Sequence, residues 1–118
     1  MPLDRPLPAR AIHLCVDMQN LFAEDTPWRT PWMARVLPNA VSLARVDPER
    51  TVFTRFVPPS DVHEARGSWR RYWEKWSELT LRRIDRRLID LVPPLAALTP
   101  PAQVVEKSSH LKRNAALE

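Results

Sequence analysis

Three apolar runs along the chain have the length of strands and are fenced by breakers. The first, Ala11-Ile12-His13-Leu14-Cys15-Val16-Asp17, comes after a proline-rich lead from Met1 to Pro8, whose fixed φ angles and missing N–H groups exclude a helix. The second, Thr51-Val52-Phe53-Thr54-Arg55-Phe56-Val57, is β-branched and aromatic and is closed by Pro58-Pro59. The third, Gln103-Val104-Val105-Glu106, is short and opens after Pro100-Pro101. Between the first two runs, Met33, Val36, Leu37, Ala40, Val41 and Ala44 recur at the spacing of one helix face. Thr30 suits the N-cap of that helix and Pro31 its first position, and Pro48 bars its continuation. Between the second and third runs, Trp69, Tyr72, Trp73 and Trp76 fall at i, i+3, i+4 and i+7 and would line one side of a helix. Leu81, Ile84, Leu88 and Leu91 suggest a further helical set, stopped by Pro93-Pro94.

Strand, helix, strand, helical insert, strand is the order of βαβ units, and it predicts an α/β fold with a parallel sheet and right-handed crossovers. Functional groups in such sheets collect at the carboxyl ends of the strands. Asp17 and Lys107 stand at those ends, on the first and third runs. Side-chain alternation puts Cys15 and His13 on the face of Asp17, deeper in the strand.

Composition narrows the choices. The 118 residues allow one domain, 1–118, and 44% hydrophobic with 27% charged residues is the balance of a globular chain rather than a disordered one. No stretch approaches the ~20 apolar residues of a membrane span, and the N-terminus has no apolar signal core, so a cytoplasmic location without a membrane partner is expected. A single Gly67 against 13 Pro removes Walker A loops, dinucleotide fingerprints and G-x-S-x-G elbows, which need several glycines at fixed spacing. A single Cys15 removes a disulfide framework and multi-Cys zinc ribbons. The net charge is +4, but the arginines run from Arg5 to Arg113, and Arg82-Arg83-Ile84-Asp85-Arg86-Arg87 is broken by an acid. That spread reads as solvated faces and argues against a nucleic-acid footprint. For the aromatic stripe three readings stay open: packing within the domain or between subunits, the wall of a substrate pocket, or base stacking.

A carboxylate closing an almost wholly apolar strand must be paired or hydrogen-bonded to stay charged. On residue types alone, Asp17 and Lys107 read first as a structural ion pair, with catalytic groups as the sharper alternative.

The segment Ile12-His13-Leu14-Cys15-Val16-Asp17-Met18-Gln19-Asn20-Leu21-Phe22 resembles the first strand and D-M-Q-N-x-F motif of the isochorismatase-like cysteine hydrolases. Thr51 to Phe56 is similar to their second strand, and Gly67 to Trp76 to the W-R-x-Y-x-x-W insert of one subgroup. Leu88-Ile89-Asp90-Leu91-Val92-Pro93 and Val104-Val105-Glu106-Lys107 come next in the family's order, so the resemblance spans Ala11 to about Lys107. It implies a three-layer α/β/α fold with a mainly parallel sheet, here incomplete at the C-terminus.

It further implies hydrolysis of a small amide-type substrate by an Asp-Lys-Cys triad, with no cofactor. Asp17 would take the cysteine's proton, Lys107 would stabilise the thiolate and the developing oxyanion, and Gln19 and Phe22 would bind substrate. The family's cysteine lies after a further strand, at a helix N-terminus, beyond Glu118 of this chain; a helix is expected to begin near Asn114. Cys15 sits mid-strand, where a packing residue is expected. The metal-binding branch of the family reads T-x-D-W-H-P after its second strand. Here Phe56 and Pro58 stand where ligands would be, Asp61-Val62-His63 supplies two ligands at most, and no metal site is expected. The expected partners are a small-molecule substrate and either further copies of the chain or a C-terminal segment completing the sheet. Two rivals remain: a non-catalytic interaction module that keeps the fold without the nucleophile, and an Arg/Trp-rich nucleic-acid binder whose affinity would fall steeply with salt.

Overall fold

A computed structural model describes residue 6 and residues 8–108. The helix expected near Asn114 and the loop after Ser108 lie outside the described residues. Strands β1 (His13–Val16), β2 (Thr51–Val57) and β3 (Gln103–Ser108) form one sheet in the order β1-β2-β3, with both pairings parallel. The α/β class and the three expected strands are what the chain builds.

β2 keeps its predicted bounds, because Pro58 can offer no N–H to continue the ladder. β1 is shorter than the run that predicts it. Ala11 N–H turns back onto the Pro8 carbonyl at 2.9 Å, and Asp17 leaves the extended region. β3 is longer: Lys107 and Ser108 still pair with Phe56 and Val57.

Among the described residues four α-helices accompany the sheet: α1 (Asn20–Ala23), α2 (Met33–Val46), α3 (Ser68–Lys75) and α4 (Pro93–Ala96). α2 starts at Met33, not at Pro31, and Thr30 makes no side-chain cap. The Thr30 N–H is tied to the Phe22 carbonyl at 2.8 Å, and Met33 N–H closes a separate turn on the Thr30 carbonyl at 3.0 Å. That turn holds Trp32 outside the helix. Gly67, at φ 60° and ψ −134°, begins α3 in a backbone region that a Cβ disfavours.

Two cores result. In one, Cys15 and Phe53 of the sheet meet Met33 and Ala44 of α2 and Leu95 of α4. In the other, Leu21, Trp73, Leu79 and Ile84 gather with Phe22, Trp28, Phe56 and Trp76 at the carboxyl end of β2. The opposite face of the sheet is covered at its carboxyl end, where Phe56 enters the second core, while Leu14 and Val16 on the same face are respectively 59% and 49% exposed among the described residues.

The aromatic stripe divides. Trp73 is fully buried and Trp76 half-buried, while Trp69 and Tyr72 stay exposed in a T-shaped pair with centroids 5.8 Å apart. The helix suggested by Leu81 to Leu91 does not form; turns and a 3-10 segment, Arg86–Ile89, take its place. The backbone there is committed elsewhere. Leu81 and Arg82 N–H groups bond the Pro59 and Ser60 carbonyls at 2.9 and 3.0 Å, and Val92 N–H bonds the Met18 carbonyl at 2.9 Å. Ile84 enters the aromatic core and Leu91 the sheet core, so equal spacing serves two different interiors. Among the described residues no helix is long and apolar enough to cross a membrane.

Candidate active site

The backbone turns sharply at Asp17. Its φ of 57° is left-handed, a conformation that Asp tolerates better than most residues with a side chain because its short carboxylate can bond locally. The Asp17 N–H still reaches β2, donating to the Thr54 carbonyl at 3.1 Å with the Thr54 hydroxyl oxygen at 3.3 Å.

This turn overrides the alternation expected from the sequence. Cys15 is in register with Phe53 and points into the core under α2. The Asp17 carboxylate lies instead with Thr54 and Lys107 on the opposite face: Thr54 is in register with Val16 of β1, and Lys107 with Phe56. Asp17 and Cys15 therefore do not share a face. The Thr54 hydroxyl donates to Asp17 Oδ1 at 3.3 Å, and Lys107 Nζ donates to Asp17 Oδ2 at 3.1 Å. Each carboxylate oxygen thus has one donor, supplied from a different strand. With side chains 29% and 36% exposed, Asp17 and Lys107 remain open to an incoming molecule. A carboxylate so placed can accept a proton, and an ammonium with donors to spare can stabilise negative charge beside it.

A cleft of about 300 Å³ opens beside Asp17, lined by Val16, Met18, Phe22, Trp32, Met33 and Val36 among others. Phe22 is offered from α1 and is backed by Trp28, whose ring is parallel within 4° at 6.4 Å. Gln19 is placed differently. It is wholly buried, its amide donating to the carbonyls of Phe56 at 2.9 Å and Ile89 at 2.7 Å while its oxygen accepts from Phe56 N–H at 2.8 Å. The side chain braces the loop after β1 against the end of β2, with both amide protons engaged.

Thr54 and Trp32 are the site residues that the sequence reading missed. Thr54 carries a faint signal, a hydroxyl inside an apolar strand, in register with the residue before Asp17. Trp32 carries none, because its exposure depends on the extra turn before α2.

Burial pushes the Cys15 thiol above its ordinary pKa, the opposite of what a nucleophile needs. Asp61 is spent on its own loop, accepting from His63 N–H at 2.8 Å and lying 3.6 Å from Arg82. Among the described residues no cluster of three or more His, Cys, Asp or Glu could hold a metal. A larger hollow of about 720 Å³ lies beside Asn20, Arg55, Arg87 and Asp90. Its charges neutralise one another: Arg55 pairs with Asp90 at 3.2 Å and with Glu106, and Arg87 pairs with Glu24 at 2.8 Å. The Arg87 hydrogen bond holds the Glu24 carboxyl below the usual range, and Glu24 raises Arg87 in return.

No curated protein matches the chain. Two solved structures share its fold. A cysteine hydrolase from Pseudomonas syringae pv. phaseolicola 1448A superposes with a TM-score of 0.63 at 17% identity, covering 90% of this chain and 53% of the other. The pyrazinamidase of Pyrococcus horikoshii, in complex with zinc, superposes with a TM-score of 0.56 at 16% identity, covering 88% of this chain and 55% of the other. The chain thus spans about half the length of the solved structures it matches. The isochorismatase domain model matches residues 11–114, a stretch that holds all three strands and both members of the charged pair, and the chain belongs to that family.

Proposed function

We propose that this chain is the part of a cysteine hydrolase that carries the acid–base and electrostatic half of an amide-cleaving site. The 3.1 Å contact between Lys107 Nζ and Asp17 Oδ2 supports this reading above all, because it stands at the carboxyl rim of a parallel sheet, beside a cleft, rather than inside a core.

In the proposed reaction, Asp17 removes the proton from a cysteine thiol supplied by a segment outside residues 1–118. The thiolate attacks the amide carbon, and Lys107 stabilises the negative charge gathering on sulfur and then on oxygen. The C–N bond breaks, the amine leaves with the proton held by Asp17, and a thioester remains. Water then hydrolyses the thioester to a carboxylic acid and restores the thiol. Thr54 keeps the Asp17 carboxylate oriented through its hydroxyl. Phe22 forms the apolar wall against which the acyl group rests, and Gln19 acts on the site by bracing it.

The reading places the protein in the metal-independent branch. That assignment is supported by Phe56 and Pro58, which stand where the T-x-D-W-H-P ligands would be, and by Asp61, which is already engaged by its own loop. A single domain over 1–118, a cytoplasmic setting, and completion by a C-terminal segment or further copies of the chain are parts of the same proposal. The free, buried thiol and the exposed Leu14 and Val16 on one face of the sheet support them.

The test combines the intact mass of the native protein with a hydrolysis assay on small amides. A longer native chain that releases amine, and loses that activity on Asp17→Asn, supports the proposal. A native chain ending at Glu118 with no amidase activity favours the interaction module that keeps the fold alone.

A further inference from the structure

The rim that carries Asp17 and Lys107 is charged on its reverse face as well. Arg55 follows Thr54 on β2 and, by strand alternation, faces the α2 side with Phe53. Its guanidinium holds two carboxylates: Asp90 Oδ1 through Nη1 at 3.2 Å, and Glu106 through Nη2. Among the described residues the buried Nε has no partner, so the hold rests on the two outer arms. The Arg55 side chain is only 22% exposed, while both carboxylates are more than half exposed.

Each carboxylate belongs to a segment that bears on the pair. Glu106 precedes Lys107 on β3 and is in register with Arg55. Among the described residues β3 has only β2 beside it, so its last rungs are held from one side. The Asp90 carbonyl accepts the Asn20 N–H at 2.9 Å, and Leu91 bridges to Gln19. Asp90 is thereby tied to the loop that begins at Asp17. One planar group spans the end of β3, the end of β2 and that loop. On the front face Thr54 and Lys107 hold the Asp17 carboxylate. On the back, Arg55 holds together the segments from which Asp17 and Lys107 project.

We infer that Arg55 is a positioning residue for the reaction, acting on Lys107 through Glu106 and on Asp17 through Asp90. The inference rests on reading that pair as catalytic and adds a residue that touches neither substrate nor the reacting atoms. A displacement of about 1 Å in such a pair costs on the order of 10²-fold in rate. The role needs an arginine rather than any cation. A guanidinium reaches two carboxylates at once in a fixed fork, whereas a lysine ammonium is a point charge on a flexible stem.

The experiment compares Arg55→Gln, Arg55→Lys and Arg87→Gln in the native protein. Arg87→Gln is the control, since it removes an arginine paired with Glu24 between the end of α1 and the 3-10 segment, off the sheet. The Lys107 Nζ resonance, followed by NMR through the Hε protons, reports the contact with Asp17. Both Arg55 variants should move it toward the position of a solvent-exposed lysine. In both, kcat for amide hydrolysis should fall about tenfold or more while KM stays within about twofold. Arg55→Lys keeps the charge and should recover little of this loss; Arg87→Gln should change neither readout. Were Arg55→Gln to unfold, Arg55→Lys carries the same two measurements. Full recovery in Arg55→Lys would reduce the effect to charge and overturn the inference. So would an unmoved Lys107 resonance or an unmoved kcat, even with a lowered urea midpoint, because Arg55 would then be structural alone. If the resonance moves but the unaltered protein cleaves no amide, the hydrolase reading fails and the bracing of the pair by Arg55 stands. If the unaltered protein cleaves amides, Asp17→Asn does not, and the Arg55 variants match the unaltered protein, the hydrolase reading stands and this inference falls.

Discussion

Gln19 and Phe56 exchange two hydrogen bonds across the carboxyl end of the sheet, side chain to main chain, at 2.9 and 2.8 Å. The pairing imitates one rung of a β ladder at a point where no strand is available, because β1 has already ended. A third bond, to Ile89, ties in the segment before α4. One buried amide therefore sets the relative positions of Asp17, Phe22 and β2.

Gln19→Leu keeps most of the volume and removes all three bonds. The Phe56 N–H and two carbonyls then lose their partners in a dry environment, at a cost of about 1–3 kcal/mol for each unsatisfied group. Urea denaturation of the variant should show a loss of at least about 2 kcal/mol. A loss within error of zero would mean that water takes over the three bonds.

The charged pair should behave in the opposite way. Asp17 and Lys107 are partly exposed, and such pairs contribute on the order of 0–1 kcal/mol to stability. Asn suits the left-handed position as well as Asp does, so Asp17→Asn isolates the charge. Asp17→Asn and Lys107→Met should leave the urea midpoint of the chain nearly unchanged. In the intact protein, amide hydrolysis should fall on the order of 10²–10⁴-fold. Large stability losses with small activity losses would mark the pair as structural.

How much of this was legible depended on whether local rules decide the local structure. β2 was readable to the residue because Pro58 enforces its end whatever surrounds it. The meeting of Asp17 and Lys107 was readable because strand order and parallel direction put both at one rim. The face of Asp17 was not, since alternation holds only for extended backbone and a φ of 57° breaks it. The segment from Leu81 to Leu91 has helical spacing, but its N–H and C=O groups bond Pro59, Ser60, Gln19 and Asn20, partners far away in sequence. Gln19 itself looked like any polar residue after a strand, and nothing in the sequence signals that an amide is wholly buried.

The divided aromatic stripe gives a paired prediction. Trp73 is buried between Phe56, Tyr72 and Trp28, with ring centroids 5.3 to 6.2 Å away. Trp73→Ala should cost about 3–5 kcal/mol through lost burial and a cavity, enough to unfold a marginal domain. Trp69→Ala on the exposed side should cost less than about 1 kcal/mol. Near-equal losses, read by thermal or urea melts, would contradict the observed partition of the helix.

Cys15 supplies the pH dependence. Burial raises its thiol pKa, because the thiolate cannot be solvated in the core under α2. The folded chain therefore keeps a proton that the unfolded chain gives up as pH rises past the ordinary thiol pKa. By linkage, the stability that goes with this proton is fully present below that ordinary value and is lost as pH climbs through the raised one. Urea midpoints at pH 7 and pH 10 should thus fall further in the unaltered chain than in Cys15→Ala, whose comparison cancels the other titrating groups. Iodoacetamide should alkylate Cys15 far more slowly in the folded chain at pH 8 than in urea, since only an exposed thiolate reacts. Equal alkylation rates in the two states would place the thiol at the surface and remove the reason for excluding it as a nucleophile.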